Sequence, residues 1–227
     1  EDNMVRQDKI AHLITGFRTT LLEPIYPNEP LMDLFIRTIL SQGTKDELRD
    51  RAFENLKSKF PNWKSILDTQ ISEIQIEIEV CGLSEKKAYT IFEFIKWVNL
   101  NFPNFNIEDI RNWGTNKIFA ELTSIKGIGN KTVSIFICFG LKGRSFPVDV
   151  HVHRILTRMG ISSNVKNPDT VFKEVSPFIP VGKEFFLHVH LVEHGKKICK
   201  SSNPNCTDCM FNQHCDYLLK KNGWAES

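Results

Sequence analysis

The spacing of apolar side chains constrains the fold of this chain more than any other feature of its 227 residues. In two segments the apolar residues recur at intervals of three and four, which places them on one face of an α-helix. The two series are Ile10, Leu13, Ile14, Phe17 and Leu21, and Leu48, Ala52, Phe53, Leu56 and Phe60. Strand-like alternation occurs only at residues 74–80, which stay ambiguous. The sequence therefore predicts an all-α fold.

Helix-ending residues and composition agree with this prediction. Asn167 and Pro168 form an N-cap followed by a first-turn proline, and Gly82 and Gly160 suit helix C-termini. With 41% hydrophobic residues, the chain is long enough for one large domain or two small ones. Its apolar runs are too short for a membrane span and its start is charged, so we expect an intracellular protein with no membrane partner.

The net charge of +2 gives by itself no reason to expect a nucleic-acid partner. Residues 126–166, however, contain seven basic residues and only one acidic residue, Asp149, which leaves 22 basic and 26 acidic residues elsewhere. The basic residues are Lys126, Lys131, Lys142, Arg144, Arg154, Arg158 and Lys166. Positive charge focused on one region is what binding to a phosphate backbone requires.

Four of the six cysteines lie near the C-terminal end with the spacing C-x6-C-x2-C-x5-C. They are Cys199, Cys206, Cys209 and Cys215. Four thiolates can hold Zn²⁺ or a [4Fe–4S] cluster. Only one tight C-x2-C pair is present and the other gaps are wide, which favours the larger cluster over zinc or unliganded thiols. Cys81 and Cys138 lie in apolar segments and are predicted to be buried small hydrophobic residues.

Two glycines, Gly127 and Gly129, separate two helical segments and predict a tight hairpin. Its backbone N–H groups and the following helix can cradle a phosphate, although a plain helix–helix turn has the same pattern. Lys131 opens the second helix, and Asp149 follows 18 residues later, after Pro147. A lysine nucleophile must lose its proton, which a helix N-terminus and a nearby carboxylate favour. The alternatives are a phosphate contact for Lys131 and an N-cap for Asp149.

The hairpin, the Pro-Val-Asp149 segment and the cysteine tail, in this order and spacing, resemble the endonuclease III family of the helix-hairpin-helix-GPD DNA glycosylases. The resemblance covers about residues 25–217. It implies an all-α fold of two helical domains with a DNA-binding cleft between them. Residues 25–143 would form a six-helix domain containing the helix-hairpin-helix motif. Residues 1–24 and 144–227 would form a second domain, which holds a [4Fe–4S] cluster on the four cysteines.

The resemblance also implies a bifunctional DNA glycosylase and AP lyase, since a lysine at position 131 marks that type. The enzyme would flip a damaged base out of double-stranded DNA, or act on an abasic site. Lys131 would attack C1′ and form a Schiff base, with Asp149 assisting, and β-elimination would cleave the strand. Oxidised pyrimidines are the expected lesions; uracil, mismatched thymine and oxidised purines are alternatives. We expect a monomer in a prokaryotic cytoplasm, associated with the nucleoid.

Two further segments resemble the parts of the family that enter the duplex. Leu83 matches a leucine that intercalates opposite the flipped base, although it could instead close a helix. A void-filling glutamine of the family falls on Gly43, and Gln42 lies one residue early. Either Gln42 is repositioned to fill the void, or the lesion and opposite-base preferences differ from those of the family. The predicted DNA-binding residues are Gln42, Gly43, Leu83, Lys126, Gly127, Gly129 and His151.

Other interpretations are less consistent with the sequence. His190, Glu193 and His194 match a zinc-protease pattern, but only Glu226 could follow as a third ligand. These histidines more simply line a helix that leads into the cysteine loop. A non-catalytic DNA-binding module with a four-cysteine metal site, and an iron–sulfur electron carrier, remain as alternative functions.

Overall fold

The structure is a computed structural model that describes residues 5–163 and 167–221, so Lys166 of the basic segment lies outside the described residues. The described residues form α-helices and short 3-10 turns without a β-strand, which confirms the all-α prediction. The α-helices are α1 (Arg6–Thr20), α2 (Leu31–Leu40), α3 (Asp46–Lys59), α4 (Ile71–Glu77), α5 (Ser84–Asn101), α6 (Thr115–Thr123), α7 (Asn130–Ile135), α8 (Val150–Arg158), α9 (Pro168–Val175), α10 (Glu184–Lys197) and α11 (Asp216–Lys221).

The chain divides into two compact units, with boundaries at Ile25/Tyr26 and Leu141/Lys142. The boundaries expected from the family resemblance, 24/25 and 143/144, lie within one or two residues of these. The central unit contains the six helices α2 to α7, and the other unit contains α1 and α8 to α11. The second unit is therefore built from two separate parts of the chain.

The central unit packs around buried aromatic residues. Phe35 of α2 stacks on Phe94 of α5 with ring centroids 4.1 Å apart, and Phe136 meets Phe35 edge to face at 4.9 Å. All three rings are fully buried. Residues Phe136–Gly140 continue α7 as a π-helical turn, which the sequence did not predict. The aromatic core fixes α2, α5 and α7 relative to one another, and these are the helices next to the predicted DNA-binding loops.

The other unit has its own core and joins its two chain segments through an ion pair between the buried Lys9 and the half-buried Asp216. Phe17 of α1 packs edge to face on Phe211, with ring centroids 5.0 Å apart. The Nζ of Lys9, also on α1, donates to Asp216 Oδ1 at 2.6 Å and to Met159 O at 2.7 Å. The first described helix is thereby fixed to the end of α8 and to the last helix.

Individual helix predictions hold with three adjustments. In the predicted stripe of α3, Leu48 is 38% exposed, because it lies in the first turn of the helix. In α1 the predicted residues are buried except Leu21, which is exposed because the helix ends at Thr20. The ambiguous residues 74–80 are helical: Ile74 and Ile78, four residues apart, are buried, whereas Ile76 is 65% exposed. Asn167 caps α9 as predicted, because its side chain accepts the backbone N–H of Asp169 at 2.9 Å.

Among the described residues, no helix combines the length and the apolar character that crossing a bilayer would require.

Candidate functional site

The predicted hairpin connects α6 to α7 and rests on the side of α5. Gly127 has φ +93°, and a Cβ on it would lie 2.0 Å from Thr90 Oγ1. The Thr90 hydroxyl also lies 3.3 Å from Lys126 O. A side chain at position 127 would therefore be strained and would collide with α5. Gly129 is different: it has an ordinary φ of −103° and open space where a Cβ would be.

The two hairpin lysines lie on the exposed side of this turn. Lys131 is the second residue of α7, as predicted, and is exposed. Lys126 is also exposed, and its ammonium lies 5.4 Å from the ring centroid of Tyr89. Both cations are therefore accessible to a ligand from solvent.

The loop after α2 lies against the hairpin. The amide Nε2 of Gln42 donates to Thr132 Oγ1 at 3.2 Å and to Gly127 O at 3.3 Å. Thr132 follows Lys131 in α7. Gln42 therefore joins one predicted DNA-binding loop to the segment that carries the candidate nucleophile.

The same loop brings Gly43 next to Leu83. Gly43 has φ +61°, and a Cβ on it would lie 3.9 Å from Leu83 Cδ1. Leu83 precedes α5 with a left-handed φ of +51° and is 61% exposed. It does not close a helix against the core, which was the alternative to DNA insertion. The structure thus places the two predicted intercalation loops side by side.

Lys87 is a neighbour of these loops that the sequence prediction missed. It is buried, and burial lowers the pKa of its ammonium, although the adjacent Cys81 thiol opposes this shift. Its position in the sequence could have identified it as buried: Lys87 lies on the apolar stripe of α5, four residues before Ile91 and seven before Phe94. A lysine on such a stripe is unusual because a buried charge needs partners.

Asp149, in the other unit, is the N-cap of α8. Its Oδ1 accepts the backbone N–H groups of His151 at 2.9 Å and Val152 at 2.8 Å. The capping alternative is therefore observed, and it fixes the orientation of the carboxylate. The His151 ring packs directly against Gly195 of α10, with Nδ1 3.0 Å from Arg154 Nη2.

The four C-terminal cysteines line one cavity, together with Arg158 and Tyr217. Burial raises the pKa of Cys209 to about 11 and also raises that of Cys215, and the neighbouring cysteines add to both shifts. Arg158 Nη1 donates to Cys199 Sγ at 3.3 Å, and His194 Nε2 lies 3.4 Å from Cys209 Sγ. Four convergent thiols with nearby N–H groups are a donor set that suits a metal group carrying thiolates.

The four thiols are also the donor set that a [4Fe–4S] cluster needs, because each cysteine binds a different iron of the cluster. Within residues 5–163 and 167–221, no three Cys, His, Asp or Glu side chains are grouped as ligands of one metal ion would be.

The zinc-protease interpretation of α10 is not supported by its side chains. His190 stacks on Phe17 with ring centroids 5.4 Å apart, and His194 meets the same ring edge to face at 5.9 Å. Glu193 pairs with Lys197 at 2.5 Å. The two histidines belong to the core of their unit, next to the cysteine loop.

Comparison with known proteins gives a family match and similar structures. The model for HhH-GPD superfamily base excision DNA repair proteins matches residues 36–180. Endonuclease III of Sulfolobus acidocaldarius is 31% identical over 81% of this chain and 81% of its own. A putative DNA glycosylase of Arabidopsis thaliana is 31% identical over 78% of this chain and 60% of the plant protein.

Two solved structures share the fold. One is a trapped endonuclease III–DNA covalent intermediate, with a TM-score of 0.79 and 21% identity, covering 96% of this chain and 99% of the other. The second is a thermostable thymine-DNA glycosylase, with a TM-score of 0.75 and 21% identity, covering 95% and 97% of the two chains.

Proposed function

Because the chain belongs to the endonuclease III family of the helix-hairpin-helix-GPD superfamily of base excision DNA repair proteins, we propose that it is a bifunctional DNA glycosylase and AP lyase. The observation that carries this proposal is Lys131, an exposed amine at the start of the helix after the hairpin. A glycosylase without lyase activity needs no amine there, because water can attack the sugar. Lysine at this position supplies a nucleophile that stays bonded to the DNA.

The proposed reaction begins with extrusion of the damaged nucleotide from the stack. The Nζ of Lys131 attacks C1′, the glycosidic bond breaks, and the base leaves with the bonding electrons and takes up a proton. The amine loses one proton, the C1′–O4′ bond then breaks, and O4′ takes up a proton, which gives a protonated Schiff base between Nζ and C1′. Removal of a proton from C2′ then expels the 3′ phosphate, and water hydrolyses the Schiff base to free Lys131.

Asp149 has two roles in this scheme. Its carboxylate accepts a proton from the attacking amine and stabilises the positive charge that develops on the sugar. The two backbone N–H groups that hold Oδ1 support the second role, because an oriented carboxylate needs little reorganisation as charge develops.

The four C-terminal cysteines are proposed to hold a [4Fe–4S] cluster. Bound there, the cluster would cross-link the end of α10 to the following loop and the start of α11. Arg158 supports this proposal, since its guanidinium contacts Cys199 Sγ and is held by Lys200 O at 2.7 Å. In the proposed reaction the chemistry on DNA depends on Lys131 and Asp149.

The proposed substrate is double-stranded DNA that contains an oxidised pyrimidine or an abasic site, bound by a monomer. Gly43 supports a different opposite-base preference from that of relatives with glutamine, because glycine cannot fill the space that an extruded base leaves. Duplexes with single lesions, each tested against all four opposite bases and scored for base release and strand cleavage, identify the preferred pair.

Borohydride trapping on abasic DNA tests the nucleophile. We expect the wild type to form a covalent complex and Lys131→Ala to form none, because reduction fixes only a Schiff base. Lys64→Ala is the matched control, since Lys64 is an exposed lysine on the turn Trp63–Asp68, outside the hairpin. Equal trapping by Lys131→Ala would show that another amine attacks. Base release by the wild type without trapping would show a glycosylase that lacks lyase activity.

A further inference from the structure

Lys87 places a positive charge inside the central unit and uses it to join separate segments. The residue is 2% exposed. Its Nζ donates to Thr44 Oγ1 at 2.6 Å, to Leu40 O at 2.9 Å and to Cys81 O at 3.0 Å. These three acceptors use the full donor capacity of an ammonium. Since a buried charge is unfavourable unless it is fully paired, this lysine is suited to holding those acceptors and ill suited to simply filling space.

The acceptors belong to the two loops that carry the predicted intercalating residues. Leu40 ends α2, and Thr44 follows Gly43 in the loop after it. Cys81 precedes Gly82 and Leu83 in the second loop. The Thr44 hydroxyl also donates to Cys81 O, so the loops are bonded to each other as well as to the ammonium. One buried group therefore fixes the distance between residues 41–44 and residues 81–83.

Leu83 needs such support because of its backbone conformation. A left-handed conformation is strained for a non-glycine residue and persists only where the surroundings hold it. The backbone N–H of Lys87 donates to Leu83 O at 3.0 Å, while its Nζ holds Cys81 O. Lys87 thus binds this turn at Cys81 through its side chain and at Leu83 through its backbone.

We propose that Lys87 is a positioning residue for opening the duplex: its ammonium holds the two loops so that Leu83 stands exposed beside Gly43 before DNA arrives. This proposal rests on the proposed function, in which a base must leave the stack. An apolar side chain inserted between bases offsets part of the lost stacking. A leucine that is already fixed in place also avoids the cost of ordering the loop on binding.

Two DNAs that carry the same oxidised pyrimidine, thymine glycol, test the proposal, one fully paired and one with the lesion inside a bubble of unpaired bases. Lys87→Met keeps the length of the side chain and removes the ammonium. We expect it to lower the single-turnover rate of base release about tenfold on the paired duplex and less than about threefold on the bubble. The bubble needs no wedge, whereas a general loss of folded protein lowers both rates by the same factor.

Three further variants sharpen the result. Thr44→Val removes the bridging hydroxyl at constant volume and should give a smaller loss, again on the paired duplex. Leu83→Ala should also lose more activity on the paired duplex than on the bubble. In the double variant the rate losses of Leu83→Ala and Lys87→Met should not multiply, because both act on one step. Lys96→Met, an exposed lysine on the same helix, is the matched control and should release bases at the wild-type rate.

Equal losses on the two DNAs, or an unchanged rate in folded Lys87→Met, would overturn the proposal. If Lys87→Met does not fold, as judged by circular dichroism, the Thr44→Val comparison decides in the same way. A wild type that releases bases from neither DNA refutes the proposed function and this proposal with it. A wild type that acts on both DNAs, with variants that do not distinguish them, refutes only the role of Lys87.

Discussion

The two glycines of the hairpin have different structural requirements, although the residue type is the same. Gly127 and Gly129 lie one residue apart, and the sequence predicted a tight hairpin from the two together. The structure requires glycine at only one of them, because Gly127 has a left-handed φ and touches Thr90, whereas Gly129 has ordinary dihedrals and open space.

This difference predicts opposite results for the same substitution. Gly127→Ala should lower the free energy of unfolding by more than about 1 kcal/mol, because it adds both backbone strain and a collision with Thr90. Gly129→Ala should leave that free energy within about 0.5 kcal/mol of the wild type. Urea unfolding measures both values. Similar destabilisation by the two substitutions would contradict the hairpin geometry.

At the scale of elements, α8 links the predicted catalytic carboxylate to the cysteine loop. Asp149 caps its first turn, and Arg154 and Arg158 reach from its later turns to backbone oxygens at and after Cys199. Arg154 Nε donates to Cys199 O at 2.8 Å. A change in the cysteine loop therefore reaches α8 through charged hydrogen bonds, which are stronger than neutral ones.

Removing one cysteine tests whether this loop holds a cluster. The purified protein should absorb near 400 nm, and Cys206→Ser should lose that absorbance and unfold at a lower temperature, because the loop loses its cross-link. Cys138→Ala is the matched control: Cys138 is buried in the other unit, and the absorbance should remain. Bound zinc in a colourless wild-type protein would favour the single-ion alternative.

The sequence predicted the helices better than it predicted their connections. Spacings of three and four residues located α1 and α3 because burial of one face governs amphipathic helices. The π-helical turn at Phe136–Gly140 and the left-handed Leu83 were missed, since both depend on tertiary packing. Lys87 was missed for a related reason: its three acceptors lie 6 to 47 positions away in sequence and meet only in the folded unit.

At the scale of the whole molecule, two cores share one chain. The central unit holds the hairpin, Lys131 and the paired loops around Leu83, whereas the other unit holds Asp149 and the four cysteines. The family resemblance, which rests on the order of the motifs along the sequence, predicted which of these residues lie in which unit. The residue contacts within each unit could not be predicted in the same way, because spacing along a helix does not determine which helices meet.

We expect acid to lower the stability of the whole fold, because buried histidines of α10 belong to its core. Burial lowers the pKa of His190, although its backbone contact with Leu22 and nearby Glu23 and Glu193 act in the opposite direction. Below pH 6.5 the imidazole of His190 therefore binds a proton more readily in the unfolded chain than in the folded protein. The stability contributed by this group is present above pH 6.5 and is lost as the pH falls, by at most about 1.4 kcal/mol per pH unit.

Denaturant unfolding between pH 7.5 and pH 5 measures this loss. His190→Asn removes the titrating ring and keeps a side-chain donor near the position of Nδ1, so the variant should lose less stability than the wild type over the same range. Parallel pH profiles for the two proteins would show that His190 does not contribute to the acid sensitivity.

The ion pair between Lys9 and Asp216 has a consequence for the order in which the protein is made. Every residue of the central unit has left the ribosome before the last contacts of α1 exist, because those contacts wait for Met159, Phe211 and Asp216. The segment 26–141 can therefore fold during translation, while α1 waits for these partners until residue 216 has been made. We thus expect the hairpin to form before the unit that carries Asp149 and the cysteines.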